Sequence, residues 1–269
     1  DDIVRLEEAL DGVDTVFHSA GMISFDPRTE KEMWTTNVLG TTHLVDLCLA
    51  KQGFRYFAHV SSVATLGRHS QSAPMDENNH WDPAARPSRY AVSKYAAERE
   101  VWRGIAEGLP AVMVNPSIVL GPGDFSKGSA ALFRKVKNGF PFFTDGVSGF
   151  VDVRDVSAAL LFLYDKQIIG ERFILNGENL SFQDLFLQMA ENMAVKAPSI
   201  RTLPWMSGML WPLEKLRSMI TGKPPFITRE TARSAHSHFA YSAQKIERLG
   251  FHFRSVGDCI RHTVPYLSA

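Results

Sequence analysis

Four short apolar runs, at residues 13–17, 56–60, 111–114 and 172–175, alternate with stretches of helical periodicity. Between the first two runs, Trp34, Val38, Leu44, Leu47 and Cys48 recur at helical spacings across residues 30–50. Between the second and third, Ala91, Tyr95, Ala96 and Trp102 give residues 90–107 one apolar face. A further helix is predicted over 156–164, with Asp155 as its N-cap, ahead of the run at 172–175. Strands that are apolar throughout are buried on both faces, and crossovers of helical length place successive strands in parallel. The alternation therefore predicts an α/β fold, a doubly wound parallel sheet whose ligands bind beyond the carboxyl ends of the strands. Leu6, Leu10 and Val13 mark a short opening helix, which Gly12 stops.

Beyond Gly177 the strict alternation ends. Helical patterns at 182–193, 205–220 and 228–236 are joined by segments containing Pro204, Pro224 and Pro225, which predicts a smaller, mostly helical C-terminal lobe. The expected division is a core of residues 1–122 and 150–176, with 123–149 and 177–269 as a substrate-binding lobe. A chain of 269 residues with 45% hydrophobic content can bury such a core. Its 29 basic and 29 acidic residues leave no net field, so the expected partner is a small molecule rather than nucleic acid or an anionic membrane. No run reaches the ~18 apolar residues that a spanning helix needs, and the N-terminus lacks the pattern of a signal peptide, so a cytoplasmic protein is expected. Cys48 and Cys259 lie in apolar helical patterns without metal-ligand spacing and are expected to be buried thiols, with no metal site.

The pattern Tyr-x-x-x-Lys occurs twice, at Tyr90 to Lys94 and at Tyr241 to Lys245, so context must choose between them. Tyr90 follows a buried strand that ends in Ser61 and Ser62, opens a helix, and leads to another buried strand ending in Asn115 and Pro116; Tyr241 has no such setting. Residues four apart share a helical face, so the Lys94 ammonium is expected beneath the Tyr90 phenol, lowering its pKa. Bringing a phenol from ~10 to about 7 takes ~4 kcal/mol of preferential phenolate stabilisation. Ser62 would then hydrogen-bond a substrate oxygen while Tyr90 gives or takes the proton.

Taken in order, VDTVFHSAG (13–21), NVLGT (37–41), SSVATLG (61–67), YAVSK (90–94), NPSIVLGPGD (115–124) and FVDVRDVSA (150–158) resemble the extended short-chain dehydrogenases/reductases, the NAD-dependent epimerase/dehydratase family. The segment NPSIVLGPG resembles most the branch of dihydroflavonol reductases and 3β-hydroxysteroid dehydrogenases. The resemblance implies a Rossmann-like core, an NAD or NADP cofactor, and Ser62, Tyr90 and Lys94 as catalytic residues. It implies that Ser19, Ala20 and Gly21 pass under the cofactor ribose and that Asn37 supports the active-site backbone. Ser61 becomes a cofactor-side neighbour, Pro116, Ser117 and Ile118 lie against the nicotinamide, and Asp2 and Ile3 meet the adenine. His18 and His59 are read as structural, and pairing as a homodimer through the helices after Ser24 and at Tyr90 is expected.

The family's Gly-x-x-Gly-x-x-Gly fingerprint is not in the sequence, and Gly121-Pro122-Gly123 follows too late a strand to replace it. The chain is therefore expected to be a fragment lacking its first strands and glycine-rich loop, with the residue that separates NAD from NADP missing too. The activity expected is interconversion of a carbonyl and a secondary alcohol on a fairly apolar substrate, because Phe125, Phe133, Phe140, Phe142, Phe143 and Phe150 crowd the substrate region. The alternatives are a nucleotide-sugar epimerase and a non-catalytic dinucleotide-sensing protein. Dehydratases of the family carry acidic residues after the catalytic hydroxyl, whereas Val63 and Ala64 follow Ser62. Residues 203–220, with Trp205, Met209 and Trp211, are expected to pack as a lobe helix.

Overall fold

A computed structural model describes residues 2–67, 73–203, 205–206 and 234–268. Four strands, β1 (Thr15–His18), β2 (Tyr56–Val60), β3 (Ala111–Pro116) and β7 (Glu171–Leu175), form one parallel sheet in that order. Asp2 caps the opening helix α1 (Ile3–Ala9). The crossover after β1 is one helical run with a π-turn in its middle: α2 (Glu30–Trp34), the turn Thr35–Leu39, and α3 (Gly40–Ala50). The crossover after β2 ends in α4 (Arg89–Ala106), and α6 (Val153–Asp165) precedes β7.

The two-residue period of the strands divides the core. Phe57, Ala111 and Met113 face Val45 and Cys48 of α3 and Val101 of α4, while Tyr56, Ala58, Val112 and Val114 face Val156, Ala159, Leu160 and Leu163 of α6. Each large apolar side chain so buried contributes about 1.5–3 kcal/mol, which is why near-continuous apolar strands and one-sided helices settle on this arrangement. Helices cover both faces, the Rossmann-like architecture.

The second lobe carries, beside the helices expected of it, strands that the sequence did not show. It is built on a second sheet of β4 (Ile118–Leu120), β6 (Val147–Asp152) and β8 (Glu178–Ser181), with a two-stranded ribbon of β5 (Phe142–Phe143) and β9 (Ile200–Arg201). Around it pack α5 (Ala130–Lys137), α7 (Phe182–Met193) and α9 (Val256–Thr263), which share a core of Leu120, Phe133, Phe150, Leu185 and Ile260. These strands are two to six residues long, too short to show a period in the sequence. Residues 177–269, assigned entirely to the lobe, send Ala243 and Ile246 of the short helix α8 (Gln244–Glu247) region and Phe251 into the core of the large sheet. The helices expected at 205–220 and 228–236 lie almost wholly outside the described residues.

Asp155 does not cap α6. Asp152 does, accepting from Arg154 N at 2.8 Å, and the fully buried Asp155 accepts from Arg254 N at 2.8 Å and pairs with the Arg254 guanidinium. Asp152 ends a strand in extended conformation, as a cap requires, whereas Asp155 is already helical. Gly121, at φ +154°, marks the close approach of β4 to α6: a Cβ there would stand 2.4 Å from Val153 Cγ1. Cys48 and Cys259 are buried free thiols that burial pushes up to about 12. Among the described residues, no helix is long and apolar enough to cross a membrane.

Candidate functional site

The site lies where β1, β2 and β3 end. Ser62 leaves β2 in extended conformation and opens a single 3₁₀ turn, Val63–Thr65, its Oγ accepting from Ala64 N at 3.2 Å. Helix α4 starts behind a Ser88 cap, whose Oγ accepts from Ala91 N at 3.1 Å, and this sets the phase that turns Tyr90 and Lys94 to one face. The Ser62 hydroxyl lies near enough to the Tyr90 phenol to favour its ionised form. Lys94, 4% exposed, donates to Val60 O at 2.9 Å, and a Cβ on Gly21 would meet its ammonium at 3.8 Å. The ends of β1 and β2 thus meet α4 around three groups that the sequence holds 32 residues apart at most.

The electrostatics differ from expectation at Tyr90. Burial raises the phenol above its ordinary value, the Ser62 hydroxyl opposing it, and Lys94 is not among the causes. Burial disfavours the phenolate, and the Lys94 ammonium is spent partly on the Val60 carbonyl. Lys94 itself is lowered to about 8, chiefly by burial, with the Glu98 charge opposing.

Asn37 occupies the π-turn and is almost fully buried. Its Oδ1 accepts from Met22 N at 2.7 Å, and its Nδ2 donates to Met22 O at 2.9 Å and to Ser93 Oγ at 3.0 Å. It therefore clamps the backbone just after Ser19, Ala20 and Gly21, whose small side chains are exposed beyond β1. Pro116 ends β3; Ser117 donates its N–H to Leu175 O at 3.0 Å and leaves its hydroxyl buried without a partner; Ile118 opens β4. His18 and Thr41 are 2.9 Å apart, and since Thr41 donates to Asn37 O, the imidazole is the donor. Burial takes His18 down to about 4 and His59 well below its ordinary value, so both rings are neutral structural groups at neutral pH.

Some expected residues serve elsewhere. Ser61 turns its hydroxyl inward: its Oγ donates to Glu98 Oε2 at 2.6 Å inside the protein, drawn there by a charged acceptor. Glu98 also accepts from Thr65 Oγ1 at 2.8 Å, Asn115 Nδ2 at 2.8 Å and Arg172 Nη1 at 2.9 Å, a hub the sequence reading missed. Its place four residues after Lys94, on the same helical face, was the available signal. Asp2 has a local task, accepting from Arg5 N at 3.2 Å to cap α1, and Ile3 is exposed. The second Tyr-x-x-x-Lys is structural. Tyr241 bridges to Met75 and is buried, while Lys245 donates to Arg172 O at 2.8 Å and pairs with Glu171 at 2.9 Å. Phe133, Phe143 and Phe150 are core residues and say nothing of a substrate, whereas Phe140 and Phe142 are partly exposed.

The residues present fit the nicotinamide riboside end of a dinucleotide. An ammonium with three N–H groups has one engaged by the described residues, it stands beside exposed small residues, and the Ser117 hydroxyl is orphaned close by in sequence to β3's end.

Comparison with known proteins agrees with this geometry. The chain aligns with a putative dihydroflavonol 4-reductase from Synechocystis at 26% identity, covering 97% of this chain and 78% of the relative. It aligns with sterol demethylase protein B of Methylococcus capsulatus at 30% identity over 190 residues, 69% of this chain and 57% of the relative. The crystal structure of gox2253 superposes with a TM-score of 0.83 at 29% identity, covering 99% of this chain and 82% of that one. A parallel sheet ending in a Ser, Tyr and Lys cluster is matched, over residues 1–175, by the family model of the NAD dependent epimerase/dehydratases, enzymes that use a nicotinamide dinucleotide; to that family this chain belongs.

Proposed function

We propose that the protein interconverts a carbonyl and a secondary alcohol on a small, fairly apolar substrate, using NAD or NADP and the residues Ser62, Tyr90 and Lys94. The observation that carries this reading is the meeting of Ser62, at the end of β2, with Tyr90 and the buried Lys94 on one face of α4, Lys94 held on the Val60 carbonyl beside Ser62. A reduced nicotinamide, when bound, supplies the hydride to the carbonyl carbon. Ser62 donates a hydrogen bond to the carbonyl oxygen, fixing it and favouring the charge it gains. The Tyr90 O–H transfers its proton to that oxygen, giving the alcohol and a phenolate. The Lys94 ammonium stabilises the phenolate until a solvent proton restores the phenol. A phenol held above its ordinary pKa is already in the proton-donating form at neutral pH, which favours reduction in that range.

The apolar character of the substrate is supported by the relatives named for a dihydroflavonol and a sterol. We further propose that residues 123–149 and 177–269 supply most of the substrate-binding walls. Exposed Trp34, Leu39 and Val92, on the joined faces of the helices around α2 and α4, support a homodimer through that surface. In the full-length protein, Tyr90→Phe abolishes turnover while dinucleotide still binds, and Tyr241→Phe leaves turnover within about twofold. A screen of apolar ketones against nucleotide sugars separates reductase from epimerase. Turnover surviving Tyr90→Phe, or nucleotide sugars as the only substrates, overturns the reading.

A further inference from the structure

Glu98 has no part in the chemistry above, yet it is 1% exposed and fully engaged. Burying a carboxylate costs several kcal/mol unless it is paired and hydrogen-bonded, and Arg172 alone answers that need through Oε1. The other oxygen is occupied differently. Oε2 takes three neutral donors, Ser61 at the end of β2, Thr65 in the 3₁₀ turn and Asn115 in β3. All three belong to the frame of Ser62. The Ser62 carbonyl accepts from Asn115 Nδ2 at 3.1 Å and lies 2.9 Å from Thr65 Oγ1, whose one proton it shares with Glu98 as alternative acceptors, so Asn115 bridges Glu98 to the Ser62 backbone directly and Thr65 lies between the two. Glu98 is also four residues beyond Lys94, as Lys94 is beyond Tyr90.

We propose that Glu98 is a positioning residue: its carboxylate locks the Ser62 turn against α4 and balances the Lys94 charge from one helical turn below. The assignment rests on the reading of Ser62, Tyr90 and Lys94 as the catalytic group. The charged or titratable groups that interact with Lys94 are His18 from β1, His59 from β2 and Glu98 from α4, with Tyr90 one turn before it on the same helix; the imidazoles are neutral, which leaves Glu98 as the anion that Lys94 senses. Glu98 in turn faces Arg172 from β7, and Arg172 donates to the backbone carbonyls of Glu77 and Asn79. A glutamine cannot replace it. Either its amide faces the guanidinium, donor against donor, or it faces Asn115, which must flip and release the Ser62 carbonyl.

The test is Glu98→Gln in the full-length protein. Turnover falls about tenfold or more through kcat, with the KM for dinucleotide within about threefold, as expected of misplaced reacting groups. The alkaline limb of the pH–rate profile moves down by about one unit, because Lys94 loses its stabilising anion. The ¹³Cε resonance of Lys94, followed by NMR without cofactor, titrates at a correspondingly lower pH. If Glu98→Gln fails to fold, Glu98→Gln with Arg172→Met removes both buried charges and gives the same kcat loss. Unchanged Lys94 titration with an unmoved alkaline limb, or wild-type kcat in the double variant, overturns the proposal. Should Tyr90→Phe remain active, the catalytic assignment fails instead, while the Lys94 titration still decides whether Glu98 acts on it.

Discussion

Replacing Asn37 by alanine removes three hydrogen bonds at once, two to the Met22 backbone and one to Ser93. Each contributes about 1 kcal/mol net, and the Met22 groups left behind are partly buried, so the loss is about 3 kcal/mol. Alanine recovers about 0.7 kcal/mol in helix propensity, for a net cost of about 2–3 kcal/mol. In a chain of this size that is a drop in Tm of roughly 4–12 °C. Differential scanning calorimetry measures it. Function is expected to suffer beyond stability, because Met22 adjoins Gly21, and a Cβ at Gly21 would touch both Asn37 Oδ1, at 3.6 Å, and the Lys94 ammonium, at 3.8 Å. Asn37→Asp separates the two effects: it keeps the size and the bond from Met22 N, but sets an acceptor against Met22 O. Dinucleotide binding, read by fluorescence at a temperature where both variants are folded, should weaken in each. A Tm within about 2 °C of wild type for both variants, with unchanged binding, would refute the clamp.

Gly104 of α4 packs on α3, where a Cβ would lie 2.7 Å from Val45 Cγ1; Gly104→Ala should cost about 1–3 kcal/mol by denaturant unfolding, despite alanine's better helix propensity. His18 titrates at about 4 in the folded protein, against an ordinary value of 6.5. The unfolded state therefore binds the extra proton as pH falls from 6.5 to about 4, and about 3 kcal/mol of stability is lost across that window. His18→Asn should flatten this part of the profile. Lys94 at about 8 predicts that reductase activity, steady through neutrality, declines above that pH as the ammonium deprotonates. A profile flat to about pH 10 would contradict it.

The large sheet was legible because its strands are mostly apolar and the helices between them keep a helical period: β2 falls where the pattern puts it, and α4 and α6 cover the stretches read as helical. The strands of the lobe were not, since pairs such as Phe142–Phe143 and Ile200–Arg201 are fixed by pairing with distant partners rather than by local pattern. At the site, Tyr90, Lys94 and Ser62 were readable from their order relative to strands. Asn37 was known by resemblance, but its grip on Met22 depends on a π-turn with no local signature. The inward turn of Ser61 and the part played by Glu98 were overlooked for one reason: a serine beside a strand end looks the same whether it turns outward or toward a carboxylate 37 residues away.

Among the described residues, three passages between the layers of the large sheet and the second sheet are short. Ser117 alone separates β3 from β4, Asn176 and Gly177 separate β7 from β8, and α6 begins on the residue after β6. Three such tethers, each too brief to bend freely, weld the second sheet, proposed above to supply the substrate walls, to the platform that carries Tyr90 and Ser62. Substrate preference in this protein should then be retuned by exchanging side chains on those walls, one shape for another, and hardly at all by loosening a joint.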